Sequence, residues 1–357
     1  MVEILFLFMP FVSPRIIGLG EYFQGIIPDK RTDIFYNPYY MKGENLIGID
    51  YHQYFTYYFW EEERILLPSL YGVYIRDSWG VYGGCCGDLV YDSYGIERNE
   101  SYLVTAWGGE IGFLKRVKLL GIITGVWSGN REDIISYPAY YLSGERFFIH
   151  PYFSFALHIR KVDLKVNGAF FMNEYTEDTG SHDTIINLKN EFFRSLCFSS
   201  SLLYRGSSLS WILKAGSPVF PKEIKYCGGL WRYHPVILPK EIFYISAGLA
   251  KAEKHKIGSF FYGLFLNTGK TYNTRFFKIA FPFAFEREFE KGFALRTGVS
   301  ISILFMEFFY NEWKGRISMD VPRIGMYISV GGEDEEFIFD FIPWSVFSFY
   351  KKIKSPK

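Results

Sequence analysis

Long stretches of this chain alternate between apolar and polar side chains. From Phe293 to Phe305, one set of alternate positions is apolar apart from Thr297, and the other set carries Ala294, Arg296, Gly298 and serines. A half-buried strand of a soluble domain usually shows this pattern over about 5–6 residues, whereas a strand that crosses a bilayer needs about 9–11. The length of the pattern therefore predicts a strand with one face toward lipid and the other toward a polar interior.

The same alternation recurs along most of the chain. It is clear in residues 147–160, 163–173, 276–286, 323–330 and 336–341, and weaker in five further stretches. At roughly 20–22 residues per strand and connection, the chain from Glu44 to Tyr350 has room for about 14 strands. We therefore predict an all-β fold, a closed antiparallel transmembrane β-barrel of about 14 strands with an N-terminal hatch or plug. A large soluble β-sandwich or propeller also alternates and stays open as an alternative.

The composition favours the membrane interpretation. Aromatic residues make up 20% of the 357 residues, with 37 Phe, 28 Tyr and 8 Trp. A barrel places such side chains on its lipid face and in two interfacial belts, so membrane lipid is a predicted partner. The formal net charge of +1 gives no reason to expect a nucleic-acid partner. The sequence therefore predicts a bacterial-type outer-membrane location.

Four segments differ in character. Residues 1–14 contain the apolar run Ile4–Val12 and are typical of a signal peptide, although a buried first strand is the alternative. Residues 44–350 form the predicted barrel, and residues 351–357 form a basic tail. Between signal and barrel, residues 15–43 show no sustained alternation and are broken by glycine, proline and aspartate. Because irregular backbone cannot face lipid, we predict that this segment is a hatch inside the barrel.

The hatch segment also carries a family resemblance. A Gly-Leu-Gly start, an Asp midway and a following Asn-Pro resemble the N-terminus of the FadL/TodX outer-membrane transporters of long-chain fatty acids and hydrocarbons, and equally that of PorV/PorQ-type barrels. The resemblance implies a hatch within a 14-stranded barrel, and departs from the family at Tyr39, where a small residue is usual. The matching positions, predicted to bind ligand or to gate, are Gly18, Gly20, Asp29, Asn37 and Pro38.

No motif in the chain indicates catalysis. His182 beside Asp183 is the only suggestive neighbour pair, and a solvated loop explains it better than a catalytic site does. The six histidines lack metal-ligand spacing, so we predict no enzyme, no cofactor and no metal. Buried charges must be paired or hydrated, which predicts a salt-bridged lumen around the plug, or basic residues that meet a carboxylate substrate. The predicted lumen-facing residues are His150, His158, Arg160, Lys165, Lys278 and Arg296.

Three functions are compatible with these patterns. The first is a channel or transporter for long-chain fatty acids or other hydrophobic small molecules, in which the glycines and the Asn-Pro pair of the hatch carry the movement. The second is a scaffold or shuttle that binds secretion or envelope proteins and transports no small molecule. The third is a soluble β-rich protein that binds carbohydrate through an aromatic face.

Overall fold

The computed structural model describes most of the predicted strands and part of the hatch segment. The described residues are 16, 19, 22–23, 25–29, 32–41, 45–52, 62–66, 69–94, 100–136, 141–181, 184–219, 239–270, 274–289, 294–308, 316–319, 323–332, 335–341 and 346–353. The predicted signal peptide, Gly18 and Gly20 lie outside these residues.

The described residues are almost entirely β-structure, which confirms the predicted all-β class. One single-turn helix, α1 (Asp33–Tyr36), and two 3-10 turns (Pro38–Tyr40 and Pro239–Glu241) accompany the strands. Within these ranges no helix has the length and apolar character needed to cross a membrane. The strands are β1 (Asn45–His52), β2 (Glu62–Leu66), β3 (Ser69–Arg76), β4 (Trp79–Tyr94), β5 (Glu100–Val117), β6 (Leu120–Ser136), β7 (Tyr141–Ile159), β8 (Val162–Ser181), β9 (Thr184–Arg205), β10 (Leu209–Gly216), β11 (Phe243–His255), β12 (Gly258–Lys270), β13 (Thr274–Glu288), β14 (Ala294–Phe308), β15 (Arg316–Met319), β16 (Arg323–Gly332), β17 (Glu335–Phe341) and β18 (Val346–Ile353).

The strands join one large antiparallel sheet. Neighbours in the sequence pair from β3 through β14, and β16 pairs with β17. Both β2 and β3 pair with β4, and both β15 and β16 pair with β14, so each couple shares one side of its neighbour. Strand β1 pairs with β3 on one side and with β18 on the other.

Two details of the strands differ from the sequence prediction. Several hairpins are more compact than the roughly 20–22 residues per strand and connection used in the prediction: β11 and β12 have 13 residues each and are joined by two residues. Strand β18 also continues to Ile353, into the predicted basic tail, where Lys351 and Lys352 pair with Ile47 and Leu46. The predicted tail thus contributes to the sheet.

Tight turns gather at one end of the sheet. The two-residue turns after β3, β5 and β7 begin at Asp77, Lys118 and Arg160, with φ angles of 51°, 54° and 57°. Such left-handed residues match the twist of two-residue hairpins. Connections at the opposite end are mostly longer, as between Tyr94 of β4 and Glu100 of β5. We call the first end the short-turn end.

The two faces of the sheet differ as the alternation predicts. In β14, Arg296, Ser300 and Ser302 are buried, whereas Ile301 and Phe305 are 53% and 40% exposed. The buried set shares its side of the sheet with Ala280 of β13, which packs against the hatch segment, and this side is the inner face. The exposed set defines the outer face. Large apolar side chains are exposed on the outer faces of β3–β14. So extensive an apolar surface marks a contact with lipid rather than with water, which contradicts the soluble alternative.

Candidate functional site

The hatch, defined here as the described residues between Ile16 and Met41, lies against the inner face at the short-turn end. Its contacts fall on Arg116 at the end of β5, Asp163 at the start of β8 and Arg205 at the end of β9. These three residues all border short turns. The described part of this irregular segment therefore lies on the inner face of the sheet. Its backbone does not face lipid there.

The first half of the hatch, residues 16–27, is held by apolar packing. Phe23 is fully buried, and its ring centroid lies 6.2 Å from that of Phe261 and 6.1 Å from that of Phe265. The Tyr22 ring lies 5.6 Å from the ring of Phe265. One cluster joins this half to β9–β13; its buried members are Ile16, Leu19, Tyr22, Phe23, Ile26, Ile27, Leu203, Ile212, Ala250, Phe261, Phe265, Ala280 and Ala284.

Asp163 anchors the second half of the hatch, residues 28–41. Its carboxylate is fully buried and accepts hydrogen bonds from Asn37 Nδ2 at 2.7 Å and from the Tyr40 hydroxyl at 2.6 Å. His158 Nδ1 lies 2.9 Å from the same carboxylate. Burial raises the pKa of the Tyr40 hydroxyl, and its hydrogen bond to Asp163 raises it further, so Tyr40 remains a donor at physiological pH. A buried carboxylate satisfied in this way fixes the position of the hatch.

Arg205 ties both halves of the hatch to the end of β9. Its Nη1 and Nη2 donate to the Asp33 carboxylate at 2.9 and 2.5 Å, and its Nε and Nη2 donate to the Gly25 carbonyl at 3.1 and 2.8 Å. Planar guanidinium suits such forked binding. Burial raises the pKa of Asp33 to about 6, because the loss of hydration outweighs the favourable charge of Arg205. The Arg205 guanidinium therefore binds a carboxyl group whose ionised form is destabilised by burial.

The three described gating candidates have structural partners. Asp29 is buried, and its Oδ2 accepts from the Thr32 amide at 3.2 Å and hydroxyl at 2.7 Å, which orders the turn before α1. Asn37 is fully buried and also accepts from the Tyr39 amide at 3.0 Å. Asn37 and Pro38 lie so close to Gly121 of β6 that a Cβ there would be 2.5 Å from each. A glycine at position 121 therefore makes room for the Asn-Pro pair.

The candidate lumen-facing residues fall into three groups. Lys165 and Lys278 face the hatch: the Lys165 Nζ donates to the Phe35 carbonyl at 3.0 Å, and the Lys278 Nζ lies 5.9 Å from the Tyr22 ring centroid. His150, His158 and Arg296 have partners in the sheet: His150 Nε2 lies 2.8 Å from Asn173 Oδ1, His158 contacts Asp163, and Arg296 forms a buried ion pair with Glu286. The His158 ring also stacks on the ring of Tyr39 in the hatch, with centroids 4.0 Å apart. Arg160 stands alone in the third group.

Arg160 corrects the sequence interpretation. It begins the β7–β8 turn with a φ of 57° and is exposed, so it does not lie on the inner face. A two-residue turn needs a residue of positive φ at this place, which takes Arg160 out of the alternation. The anchors Asp163, Arg205 and Arg116 were absent from the predicted site. Asp163 and Arg205 stand beside hairpin turns, which is the one sequence signal that could have suggested them.

The contacts of this site are hydrogen bonds, ion pairs and packed rings. No group of three or more potential metal ligands occurs among the residues that the structure describes. Arg116 Nη1 donates to the carbonyls of Tyr39 and Met41 at 3.4 and 3.2 Å, so it serves as a further clamp on the hatch. The arrangement can hold or release a segment at one end of the sheet.

Several solved structures of receptors match this chain over most of its length. The ferric yersiniabactin uptake receptor FyuA of Yersinia pestis has 8% identity and a TM-score of 0.46, over 80% of this chain and 52% of the receptor. The siderophore receptor PiuA of Acinetobacter baumannii has 7% identity and a TM-score of 0.46, over 85% and 66%. The alcaligin outer-membrane receptor FauA of Bordetella pertussis has 6% and 0.35, over 87% and 76%. This chain therefore spans about half to three quarters of these receptors' length.

No protein-family model matches the chain, and no curated protein sequence does. The three similar structures named above are receptors. At this identity the similarity concerns architecture, and neither residue roles nor substrates follow from it. The antiparallel sheet with an apolar outer face is what an outer-membrane protein requires, so the predicted outer-membrane location is confirmed.

The resemblance to the FadL/TodX family is wrong. The matching solved structures include the siderophore receptor PiuA and the ferric yersiniabactin uptake receptor FyuA rather than transporters of the FadL/TodX type. The motif misled for a local reason. Asn37 caps the 3-10 turn that begins at Pro38, so the Asn-Pro pair meets the needs of this turn whatever the family.

Proposed function

We propose that the sheet closes into an outer-membrane barrel whose hatch gates the passage of a small solute. Support for closure comes from β1, which pairs with β18 as well as with β3 and so leaves neither edge open. On β7, the outer apolar positions run from Phe147 to Ile159. A strand of this length tilted by about 40° covers about 30 Å, close to the thickness of the hydrocarbon layer.

The observation that carries the proposal is the way the hatch is held. Its first half makes mainly apolar contacts, and its second half forms hydrogen bonds with two side chains of the sheet, Asp163 and Arg205. A plug that served only to fill space would need no such set of separable polar contacts. Anchors of this kind can be exchanged for solvent or for a partner, so the segment can leave the inner face without unfolding the sheet.

The inner face favours a polar solute over a fatty acid. Ser154, Asn167 and Ser199 occupy one row across β7–β9, and Arg296 with Glu286 adds charge on β13 and β14. An alkyl chain beside these groups would offer their polar atoms no hydrogen bonds. We therefore assign the passage to solutes that carry polar groups.

Conductance across a planar bilayer tests the proposed gate. The full chain should conduct little, and the double variant R205A/N37A should conduct several-fold more, because it removes the Arg205 anchor and the hydrogen bond from Asn37 to Asp163. The variant R194A alters an exposed arginine on the outer face of the same strand and should behave as the unmodified chain. Equal conductance of R205A/N37A and the full chain would reject the gate. It would favour the scaffold alternative, in which envelope proteins bind the barrel and nothing passes through it.

A further inference from the structure

Two tyrosines form an arch across four strands of the inner face. Tyr82 of β4, Gly112 of β5, Gly125 of β6 and Tyr152 of β7 are successive register partners. A Cβ at Gly112 would overlap the Tyr82 ring, and one at Gly125 would come 2.5 Å from the Tyr152 hydroxyl oxygen. Each ring therefore lies over a glycine, and the two hydroxyl groups meet in a hydrogen bond between β5 and β6.

The arch ends on a carboxylate. The Tyr152 hydroxyl donates to Glu110 Oε1, so the Tyr82 hydroxyl must donate to Tyr152 when Glu110 is ionised. Glu110 stands two residues before Gly112 on the same face of β5. Among the described residues it contacts no lysine or arginine. An ionisable group that lies within the membrane and lacks a counter-ion is costly, and its usual explanation is a function.

Aromatic side chains lie on the same face of the sheet as this carboxylate. Trp127 is the direct register partner of Glu110 on β6, and its ring centroid lies 4.7 Å from that of Phe148 and 4.7 Å from that of His150. Both Glu110 and Trp127 are only half-buried, so the group is open on one side. On the hatch side, the Phe35 ring lies 5.2 Å from the Tyr82 ring in an edge-on contact.

We infer that Glu110, Tyr82, Tyr152 and Trp127 form a binding site for an organic ammonium group. One carboxylate supplies the opposite charge, and aromatic faces attract a cation that sheds its water easily. A divalent metal fits poorly, since calcium takes 6–8 oxygen ligands and magnesium needs six in octahedral geometry. The inference rests on the proposed function in one respect, since it names the chemical group of the solute that the gated passage admits.

Titration calorimetry of the full chain in detergent tests the site, with tetramethylammonium chloride as the probe. The unmodified chain should give saturable heat with this salt, and none with sodium chloride at the same ionic strength or with the uncharged tert-butanol. Variant E110Q should bind at least about tenfold more weakly, because the charge is lost while an amide oxygen still accepts from Tyr152. Variant E174Q makes the same change at an exposed position on β8 and should leave binding unaltered.

A second variant keeps the test decisive if E110Q does not fold. W127L removes an aromatic face without touching the carboxylate, and it should weaken the binding of tetramethylammonium several-fold. Folding of each variant is checked by its shifted migration in unheated gels. Absence of saturable binding by the unmodified chain, or equal binding by folded E110Q, would overturn the site and leave Glu110 as a protonated structural brace. Binding in detergent does not require a moving hatch, so conductance of R205A/N37A without such binding would reject this site alone.

Discussion

The two halves of the hatch are held to the same sheet by different physics. Residues 16–27 meet β9–β13 mainly through apolar side chains such as Phe23, which is fully buried. Residues 28–41 also bury Ile34 and Met41 against the sheet, and they add the polar contacts of Asn37 with Asp163 and of Asp33 with Arg205. Apolar packing is non-directional and tolerates small shifts, whereas a hydrogen bond to a buried carboxylate is lost within an ångström or so. The second half therefore sets where the hatch sits, and the first half contributes much of the adhesion.

Replacement of the shared anchor should have the largest effect. Variant R205A removes the hydrogen bonds to both Gly25 and Asp33 and leaves the Asp33 carboxyl group buried without its partner. We expect the free energy of hatch opening to fall by about 4 kcal/mol in both halves. Hydrogen exchange of the hatch amides measures this opening. R194A is the matched control, and unchanged protection in either half of R205A would contradict the shared-anchor role.

Loss of one buried ring should separate the halves. Variant F23A leaves a cavity beside Phe261 and Phe265, and we expect residues 22–27 to open more easily by about 3 kcal/mol. Protection of residues 32–41 should change little, because their anchors are intact. The control F155A removes a ring from the outer face of β7. Equal loss of protection in both halves would show that the hatch moves as one unit.

The reciprocal change acts on the second half. Variant N37A removes the donor to Asp163 and the acceptor of the Tyr39 amide. A buried group left without its partner costs about 2 kcal/mol, so residues 32–41 should exchange faster while residues 22–27 remain protected. N130A provides a comparison, since Asn130 donates to Glu145 on the exposed outer face. If N37A loosens the first half instead, the division into halves is incorrect.

The docking of the second half of the hatch should depend weakly on pH. The docked hatch raises the pKa of Asp33 from 3.8 to about 6, so the docked form binds the proton more tightly than the released form. This contribution to docking is fully present below about pH 4 and is lost as the pH rises through about 6. Between pH 5 and 7, docking should weaken by about 1 kcal/mol. Exchange measured at both pH values, corrected for intrinsic rates, should show the change in the full chain and not in D33N; a pH effect that persists in D33N would assign it elsewhere.

The sheet could be predicted from the sequence because its constraint is local. At Phe155 and Ala156, a large apolar side chain alternates with a small buried one, as lipid on one face and packing on the other require. The residues at the turns are less predictable. Arg160 continues the alternation in the sequence, yet the hairpin turn requires a positive φ at this residue.

The anchors and the tyrosine arch could not be predicted, because they join residues that are distant in the sequence. Asn37 and Asp163 are 126 positions apart, and Asp33 and Arg205 are 172 positions apart. Gly112 and Gly125 look like isolated breaks in their strands until register places a tyrosine over each. The Asn-Pro pair, by contrast, is visible in the sequence, but it indicates only a local turn and not the protein family.

The pairing of β1 with β18 also sets the order in which the molecule can be assembled. Asn45 of β1 meets Ile353 of β18, so the first strand acquires this partner only after every other described strand has been made. Until then β1 presents an unpaired edge to other chains and to chaperones. The hatch precedes β1, so it is synthesised before the strand that gives β1 this partner. The segment is therefore available to the inner face while the sheet is still incomplete.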